Sequence, residues 1–245
     1  MKDIEVSFDP SNHQIEEIKA WLIEEDKVSK EGFFCNWNVI RDSFKEKKIG
    51  IIIVSEDVIG FITWFGSESV TTIDIAEIKP GFRRMGYGKV LAEALYNKLQ
   101  KQGVKILELH CQPAKSEKIW KKSGFKDFPD VEGFEDYKSN KGKHLYKILI
   151  PFAKPTKSVK RKSESIELWA VEPHLTTRFS PQWIWHLKFE KGSRKLIKPI
   201  IFPAKYDWNI LWKIDSEIIQ ENKIKRFQKG NIDFSDFIII EDLPR

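Results

Sequence analysis

Residues 73–89 read IDIAEIKPGFRRMGYGK and join a strand, a turn and the start of a helix. The run at 73–78 is apolar and rich in β-branched residues, which is typical of a strand. Lys-Pro-Gly at 79–81 ends it, because proline lacks the N–H that a sheet ladder needs and glycine permits a tight bend. After the basic segment 83–89, apolar residues recur at helical spacing up to residue 99.

The segment between this strand and this helix has the properties of a pyrophosphate-binding loop. Gly86 and Gly88 let backbone N–H groups approach a ligand closely, and the start of the helix supplies further unpaired donors. Arg83 and Arg84 add positive charge. The glycine spacing excludes the G-x-G-x-x-G motif, and Val90 stands where a P-loop carries serine or threonine.

The loop resembles the [R/Q]-x-x-G-x-[G/A] motif of the GNAT superfamily of acyl-CoA-dependent N-acyltransferases, with Arg83, Gly86 and Gly88 at the fixed positions. The preceding strand ends in Ile-x-Pro, and residues 119–125 (IWKKSGF) resemble the Y-x-x-x-G-F box of that family. The resemblance covers about residues 1–150 and implies that acetyl-CoA is the co-substrate. The cofactor-binding residues that we predict are Ile78, Lys79, Arg83, Arg84, Met85, Gly86, Tyr87, Gly88, Lys89 and Ser116.

Hydrophobic periodicity in residues 1–150 predicts the element order β-α-α-β-β-β-α-β-α-β. The resemblance implies an α/β (α+β) fold of GNAT type: a mixed, splayed sheet flanked by helices, with acyl-CoA between the fourth and fifth strands. The backbone groups of Ile78 are expected to face the pantetheine arm.

The C-terminal part shows no family resemblance. Strands are predicted at 166–171 and 183–189, shorter apolar runs at 200–202 and 237–240, and a helix at 214–227. These elements suit a small, mostly β or α+β module.

Composition predicts three parts of the chain: an acyl-CoA-binding domain at 1–152, a basic linker at 153–165 and an accessory domain at 166–245. Residues 1–150 carry 24 Lys and Arg against 24 Asp and Glu, whereas residues 151–245 carry 18 against 12. The accessory domain also holds five of the nine tryptophans. Nucleic-acid contact, with tryptophans as stacking platforms, is one interpretation; a solvated linker and core tryptophans are the other.

Amine acetylation usually needs a general base, because the acceptor arrives largely protonated. The candidates are Glu77 and Asp74 on the predicted fourth strand. Strand alternation places them on opposite faces, Glu77 with Ile73 and Ile75, and Asp74 with Ala76 and Ile78. A salt bridge or a solvent-facing position is the alternative role for either carboxylate.

The sequence does not identify the general acid that would protonate the departing thiolate. The resemblance implies a tyrosine at the position of Trp120, whose indole N–H cannot serve as an acid near neutral pH. Unassisted departure of the thiolate is one alternative. Proton donation by Ser116, His110, Cys111 or Tyr87 is another, although a structural role suits each of them.

The remaining features of the sequence restrict the class of protein only broadly. No apolar run approaches the length of a membrane span, the N-terminus lacks a secretory signal, and two cysteines suit the reducing cytosol, so we expect a cytoplasmic protein without a membrane partner. The five histidines show no metal spacing, and no metal is expected. An oligomer remains compatible with these features.

The sequence thus predicts an N-acetyltransferase that moves acetyl from acetyl-CoA to an amine acceptor of unknown class by direct attack in a ternary complex. A non-catalytic acyl-CoA-binding regulatory or interaction protein is one alternative. An acetyltransferase acting on an RNA-linked amine is the other.

Overall fold

The computed structural model describes residues 3–29, 32–112, 116–132, 134, 143–158, 163–215, 217–227, 232–234 and 236–244. The chain divides into two compact units. Unit 1 comprises Met1–Asp127 and Asn140–Leu149, and unit 2 comprises Phe128–Ser139 and Ile150–Arg245. The chain therefore passes between the units three times. Among the described residues, no helix has the length and apolar character that a membrane crossing requires.

Unit 1 follows the predicted order of helices and strands, with one additional two-residue strand. Its elements are β1 (Ile4–Ser7), α1 (Asn12–Ser29), α2 (Trp37–Lys45), β2 (Ile49–Val54), β3 (Asp57–Gly66), β4 (Val70–Ile78), α3 (Tyr87–Lys101), β5 (Ile106–Cys111), α4 (Glu117–Lys122), β6 (Lys126–Asp127) and β7 (Lys143–Ile148). Short 3-10 helices lie at Phe33–Asn36 and Pro80–Phe82.

The seven strands form one mixed sheet in the order β1-β2-β3-β4-β5-β7-β6. All neighbours are antiparallel except β4 and β5, which pair in parallel from Val70 with Ile106 to Ile73 with Leu109. Pairing stops there, although β4 continues to Ile78 and β5 to Cys111, so the two strands diverge. The predicted fold class, a mixed, splayed sheet flanked by helices, is confirmed.

The helices cover both faces of this sheet. The core on the α3 face includes Ile52, Val54, Ile62, Ile73, Leu91, Leu95, Leu99, Leu107 and Leu109. The core on the α1 and α2 face includes Ile15, Ile18, Leu22, Ile40, Ile49, Ile51, Phe61 and Ile75. Strand β2 contributes to both cores in alternation, as the period of a strand requires.

A β-bulge interrupts β4 beside the divergence. Ile62 pairs with Ala76 and Trp64 with Ile73, so that Thr63 alone opposes two residues of β4. The hydroxyl of Thr63, which is fully buried, accepts the N–H of Ile75 at 3.1 Å. This hydrogen bond satisfies a backbone donor that the bulge removes from the regular ladder.

The bulge corrects one expectation about faces. Regular alternation put Glu77 on one face with both Ile73 and Ile75. In the structure Ile73 lies in the α3-face core and Ile75 in the α1-face core, so the prediction is wrong for Ile73. The extra residue shifts the alternation by one position between them.

In its described residues unit 2 consists of strands and of short 3-10 helices at Pro173–Arg178 and Ile224–Arg226. The strands are β8 (Glu164–Trp169), β9 (Trp183–His186), β10 (Lys195–Pro203), β11 (Asn209–Ile214), β12 (Glu217–Lys223), β13 (Ile232–Phe234) and β14 (Phe237–Asp242). One sheet has the order β12-β11-β8-β9 and the other β10-β14-β13. The extra C-terminal β module that we predicted is thus present.

The predicted helix at 214–227 is wrong, because β11 and β12 form an antiparallel hairpin there. Asp215 has a φ of 55°, the left-handed conformation that a tight turn uses and that aspartate tolerates. The pairing of β11 with β8, about 45 residues earlier, is a long-range contact that local periodicity does not carry.

The tryptophans of unit 2 are mostly core residues. Trp169, Trp185, Trp208 and Trp212 are buried, and Trp183 stacks on Trp208 with ring centroids 5.6 Å apart. Buried rings cannot serve as platforms for bases, so core packing is the correct interpretation for these four.

The three-part division of the chain stays a prediction, but two observations bear on its boundaries. Residues 128–139 fall within unit 2, although the prediction placed them in the first domain. Within the expected linker, the N–H of Ala153 donates to Pro199 O at 2.9 Å and Thr156 forms an antiparallel bridge with Ile184. The start of the predicted linker is therefore hydrogen-bonded to unit 2.

The bulge gives a stability prediction. Thr63→Val keeps the shape of the side chain but leaves the N–H of Ile75 buried without an acceptor, so we expect unfolding to be easier by about 1–3 kcal/mol. Thr63→Ser retains the hydroxyl and is the matched control. Thermal or denaturant unfolding of both variants checks this, and equal stability would show that the hydroxyl does not hold the bulge.

The assignment of residues 128–139 to unit 2 gives a second prediction. Phe128 and Phe134 lie against Phe237 and Trp208, with ring centroids 5.5 and 5.7 Å apart. A chain truncated after residue 154 loses both partners and exposes the two phenylalanines, so we expect it to aggregate. Size-exclusion chromatography against the full chain is the measurement, and a monodisperse fragment would contradict the expectation.

Candidate active site

The predicted phosphate loop leads directly into α3. Arg84 and Gly86 both have positive φ, at 65° and 89°, and Gly86 is the residue that precedes the first helical turn. A Cβ built on Gly86 would meet no atom within 4 Å, so the side of the loop that it faces is open. The conformation is the one that favours glycine, and the open space leaves room for a ligand.

The loop presents unpaired donors. In the part of the chain that the structure describes, no hydrogen bond occupies the backbone N–H groups of Arg84, Met85 and Gly86. At the start of α3 the N–H groups of Tyr87 and Gly88 likewise make no hydrogen bond among the described residues, whereas that of Lys89 donates to Gly86 O at 3.0 Å. Donors of this kind at a helix N-terminus form an anion site, which fits the pyrophosphate of coenzyme A.

The side chains of the loop are mostly exposed. Arg84, Met85 and Lys89 face solvent, and Lys89 makes an exposed ion pair with Glu93 at 3.7 Å along the helix. Tyr87 is partly buried, with its ring 6.2 Å from that of Phe82. A Cβ at Gly88 would lie 3.5 Å from Ile78 Cγ1, so this glycine also allows β4 and α3 to approach closely.

Arg83 differs from the other loop residues because its side chain is bound to neighbouring groups of the protein. Its Nη2 lies 2.5 Å from Glu25 Oε1 and 2.9 Å from Glu77 Oε1, and its Nε donates to Ile78 O at 2.7 Å. The guanidinium therefore joins α1 to β4. A role of Arg83 in cofactor binding stays a prediction, and in the structure its side chain holds two carboxylates.

Glu77 is a shielded carboxylate at the end of β4, 15% exposed. Burial raises its pKa, the neighbouring Glu25 acts in the same direction, and Arg83 opposes both; the pKa stays above the ordinary value. A carboxylate with a raised pKa is a better proton acceptor at neutral pH. Glu77 thus forms a salt bridge, which is one of its two predicted roles, and its raised pKa also suits the other, that of general base.

The backbone of Ile78 already has side-chain partners. Its N–H donates to Glu77 Oε1 at 3.1 Å and its carbonyl accepts from Arg83. Its neighbour Lys79 donates its own N–H to Ile59 O at 2.8 Å, which keeps the end of β4 on β3. Contact of the Ile78 backbone with a pantetheine arm stays a prediction. It would require the side chains of Glu77 and Arg83 to release their hydrogen bonds to Ile78.

Asp74 and Ser116 lie outside this cluster. Asp74 is exposed, next to the bulge, and partial burial of its carboxyl raises its pKa. Ser116 is the residue that precedes the first turn of α4. Cys111 is buried, and this burial raises the pKa of its thiol, which favours the structural role expected for it.

The remaining candidates for the general acid are not gathered at one point. Trp120 is partly buried against the α3-face core, edge-on to Phe125 with centroids 5.4 Å apart. His110 is exposed, and its ring lies 4.7 Å from that of His144. Within the described residues, no group of three or more potential metal ligands occurs.

Glu25 is the site residue that sequence reasoning missed. It lies on α1, 58 residues before Arg83, and its side chain is only 6% exposed. Its position continues the buried helical stripe of Ile15, Ile18 and Leu22. A carboxylate at the inward position of an apolar stripe was the available signal, because such a group is costly to bury without a partner.

Residues 11–125 match the family model described as Acetyltransferase (GNAT) family. No curated protein sequence matches the chain significantly. Similar solved structures include Ard1 from Thermoplasma volcanium, at 21% identity and a TM-score of 0.48 over 60% of this chain and 98% of that one. PaiA N-acetyltransferase from Thermoplasma acidophilum, in complex with coenzyme A, has 19% identity and a TM-score of 0.44 over 60% of this chain and 99% of that one. The ribosomal-protein-S18-alanine N-acetyltransferase from Escherichia coli has 14% identity and a TM-score of 0.47 over 64% of this chain and 99% of that one.

The open loop gives a binding prediction. Gly86→Asp adds a negative charge where phosphates are expected, so acetyl-CoA affinity should fall by about tenfold or more, equivalent to about 1.4 kcal/mol. Gly86→Ala adds only the strain of a side chain at positive φ and should lose less. Calorimetry on both variants checks this, and equal losses would trace the effect to backbone strain alone.

Proposed function

Residues 11–125 form an acetyltransferase domain of the GNAT family, and from this premise we propose that the protein is an N-acetyltransferase that transfers acetyl from acetyl-CoA to an amine. The observation that carries the proposal is that three features lie close together in the structure. These are a loop with free N–H donors, the divergence of β4 from β5, and the shielded carboxylate of Glu77 at the end of the same strand.

The loop supplies the binding site for the cofactor in this proposal. Backbone N–H groups of residues 84–86 and of the first turn of α3 would hold the pyrophosphate, and Arg84 and Lys89 would add positive charge. Beyond Ile73 the edge of β4 is released from β5, which leaves room for an extended arm to reach the bulge. Bound in this way, acetyl-CoA supplies a thioester carbonyl that an amine can attack.

Glu77 is the proposed general base. The carboxylate takes a proton from the acceptor ammonium, directly or through water, and the neutral nitrogen then attacks the thioester carbonyl carbon. A C–N bond forms, the nitrogen loses its second proton to water, the C–S bond breaks, and the electron pair leaves with the sulfur as the CoA thiolate. Trp120 cannot protonate that thiolate, so we propose that it departs unassisted and takes its proton from solvent.

A non-catalytic acyl-CoA-binding protein is the second candidate. Two observations favour it: Trp120, at the position of the expected tyrosine, packs against the core, and Glu77 is already ion-paired with Arg83. The two functions differ in turnover. Release of free CoA thiol from acetyl-CoA, assayed with a panel of primary amines, supports the enzyme, whereas tight binding without release from any amine supports the binding protein.

The base assignment predicts a pH profile. Because Glu77 must be ionised to accept a proton and its pKa is raised in the protein without ligands, kcat/KM for the amine should increase with pH through a midpoint above the ordinary glutamate value. Glu77→Gln should lower kcat by about 10²–10⁴-fold and abolish this dependence, while acetyl-CoA affinity stays within about twofold. The amide oxygen of glutamine can still accept from Arg83, so the ion-pair geometry is largely kept.

Asp74→Asn is the matched control for this experiment. It removes a carboxylate from the same strand, outside the Arg83 cluster, and should leave kcat within about threefold. A large loss in Asp74→Asn together with a small one in Glu77→Gln would move the base role to Asp74.

A further inference from the structure

One oxygen of Glu25 has no partner. Oε1 contacts Arg83, but Oε2 is buried and accepts no hydrogen bond from any described residue. The side chain as a whole is 6% exposed. A buried carboxylate oxygen left unsatisfied is costly, and in native proteins such an atom usually marks a bound water, an ion or a ligand.

The charges around this oxygen do not balance. Glu25 and Glu77 both contact the single Nη2 atom of Arg83, so two carboxylates share one guanidinium. The nearby lysines of α1 do not compensate, because Lys19 pairs with Glu16 and Lys27 with Glu24 on the exposed side of the helix. With both carboxylates ionised, the cluster carries one net negative charge, which one cation would neutralise.

Resting on the proposed function, we propose that Glu25 and Glu77 form an acidic subsite for the ammonium group of the acceptor, with Glu25 Oε2 as the atom that holds it. The acceptor is accordingly a primary amine that arrives protonated. Glu25 Oε1 keeps its contact with Arg83, and Glu77 takes the proton.

This division of roles follows from the geometry. Both carboxylates bind the same nitrogen of Arg83, so an ammonium held by Glu25 would belong to the same ion-paired cluster as the carboxylate of Glu77. Glu25 is thereby an acceptor-binding residue that brings the proton donor to the base. An acceptor with a carboxylate next to its amine would meet repulsion here, which favours amines flanked by neutral groups.

The test compares two probes of nearly the same shape, one charged and one neutral. Alaninamide carries an ammonium where lactamide carries a hydroxyl. The full chain, saturated with CoA, is titrated with each probe, and dissociation constants are measured by NMR. We expect alaninamide to bind at least about tenfold more tightly than lactamide, and Glu25→Gln to reduce this preference below about threefold.

Three variants serve as controls. Glu24→Gln removes a neighbouring exposed carboxylate of α1 and should keep the full preference. Glu25→Asp retains the charge and should keep most of it. Glu25→Met, a second variant that removes the charge, replaces Glu25→Gln if the latter melts early or loses CoA affinity.

The outcomes separate this subsite from the enzyme function. An unchanged preference in the charge-removing variants, or no preference in the wild-type chain, overturns the subsite even if acetyl transfer occurs. A preference that depends on Glu25 supports the subsite, and if no amine is then acetylated, only the proposed transfer is overturned.

Discussion

The contact of Arg83 with Glu25 and Glu77 is the constraint on which the arrangement of the site depends. One guanidinium joins helix α1, the end of strand β4 and the loop that begins α3. In the proposed function these elements carry an acceptor contact, a base and a phosphate loop. The contacts of Arg83 would then connect the position of the loop to the positions of the two carboxylates.

The bulge in β4 decides which residues take part in this contact. Without the extra residue at 74–75, the alternation of the strand would put Ile73 and Ile75 on one face, whereas they lie in opposite cores. Glu77 consequently lies toward α1 while Ile73 packs toward α3. The buried hydroxyl of Thr63 accounts for the bulge locally, because it accepts the N–H that the partner strand leaves unpaired. A single side-chain hydrogen bond thus contributes to the direction of the proposed base.

Much of unit 1 could be predicted from the sequence because its signals are local: glycines at the loop, proline after β4, and apolar residues at helical spacing in α1 and α3. The bulge could not, since it depends on how β3 and β4 align. Glu25 was missed for the same reason, because its partner lies 58 residues away. In unit 2 the sequence predicts a helix where the structure has the β11–β12 hairpin. The isoleucines near Ile214 fit the spacing of a helix as well as that of a strand, and only the pairing of β11 with β8 distinguishes the two.

Stability alone is a weak explanation for the Glu25, Glu77 and Arg83 cluster. A buried ion pair often stabilises a protein no more than apolar residues of similar volume, because desolvation of the charges offsets their attraction. Here the imbalance is greater, with two carboxylates for one guanidinium and one oxygen without a partner. An apolar residue at position 25 would continue the stripe of α1 and avoid that cost. The free energy spent on a charged group at this inward position is best explained by a ligand that completes it, and an ammonium beside a base is the ligand that the chemistry of the proposed reaction supplies.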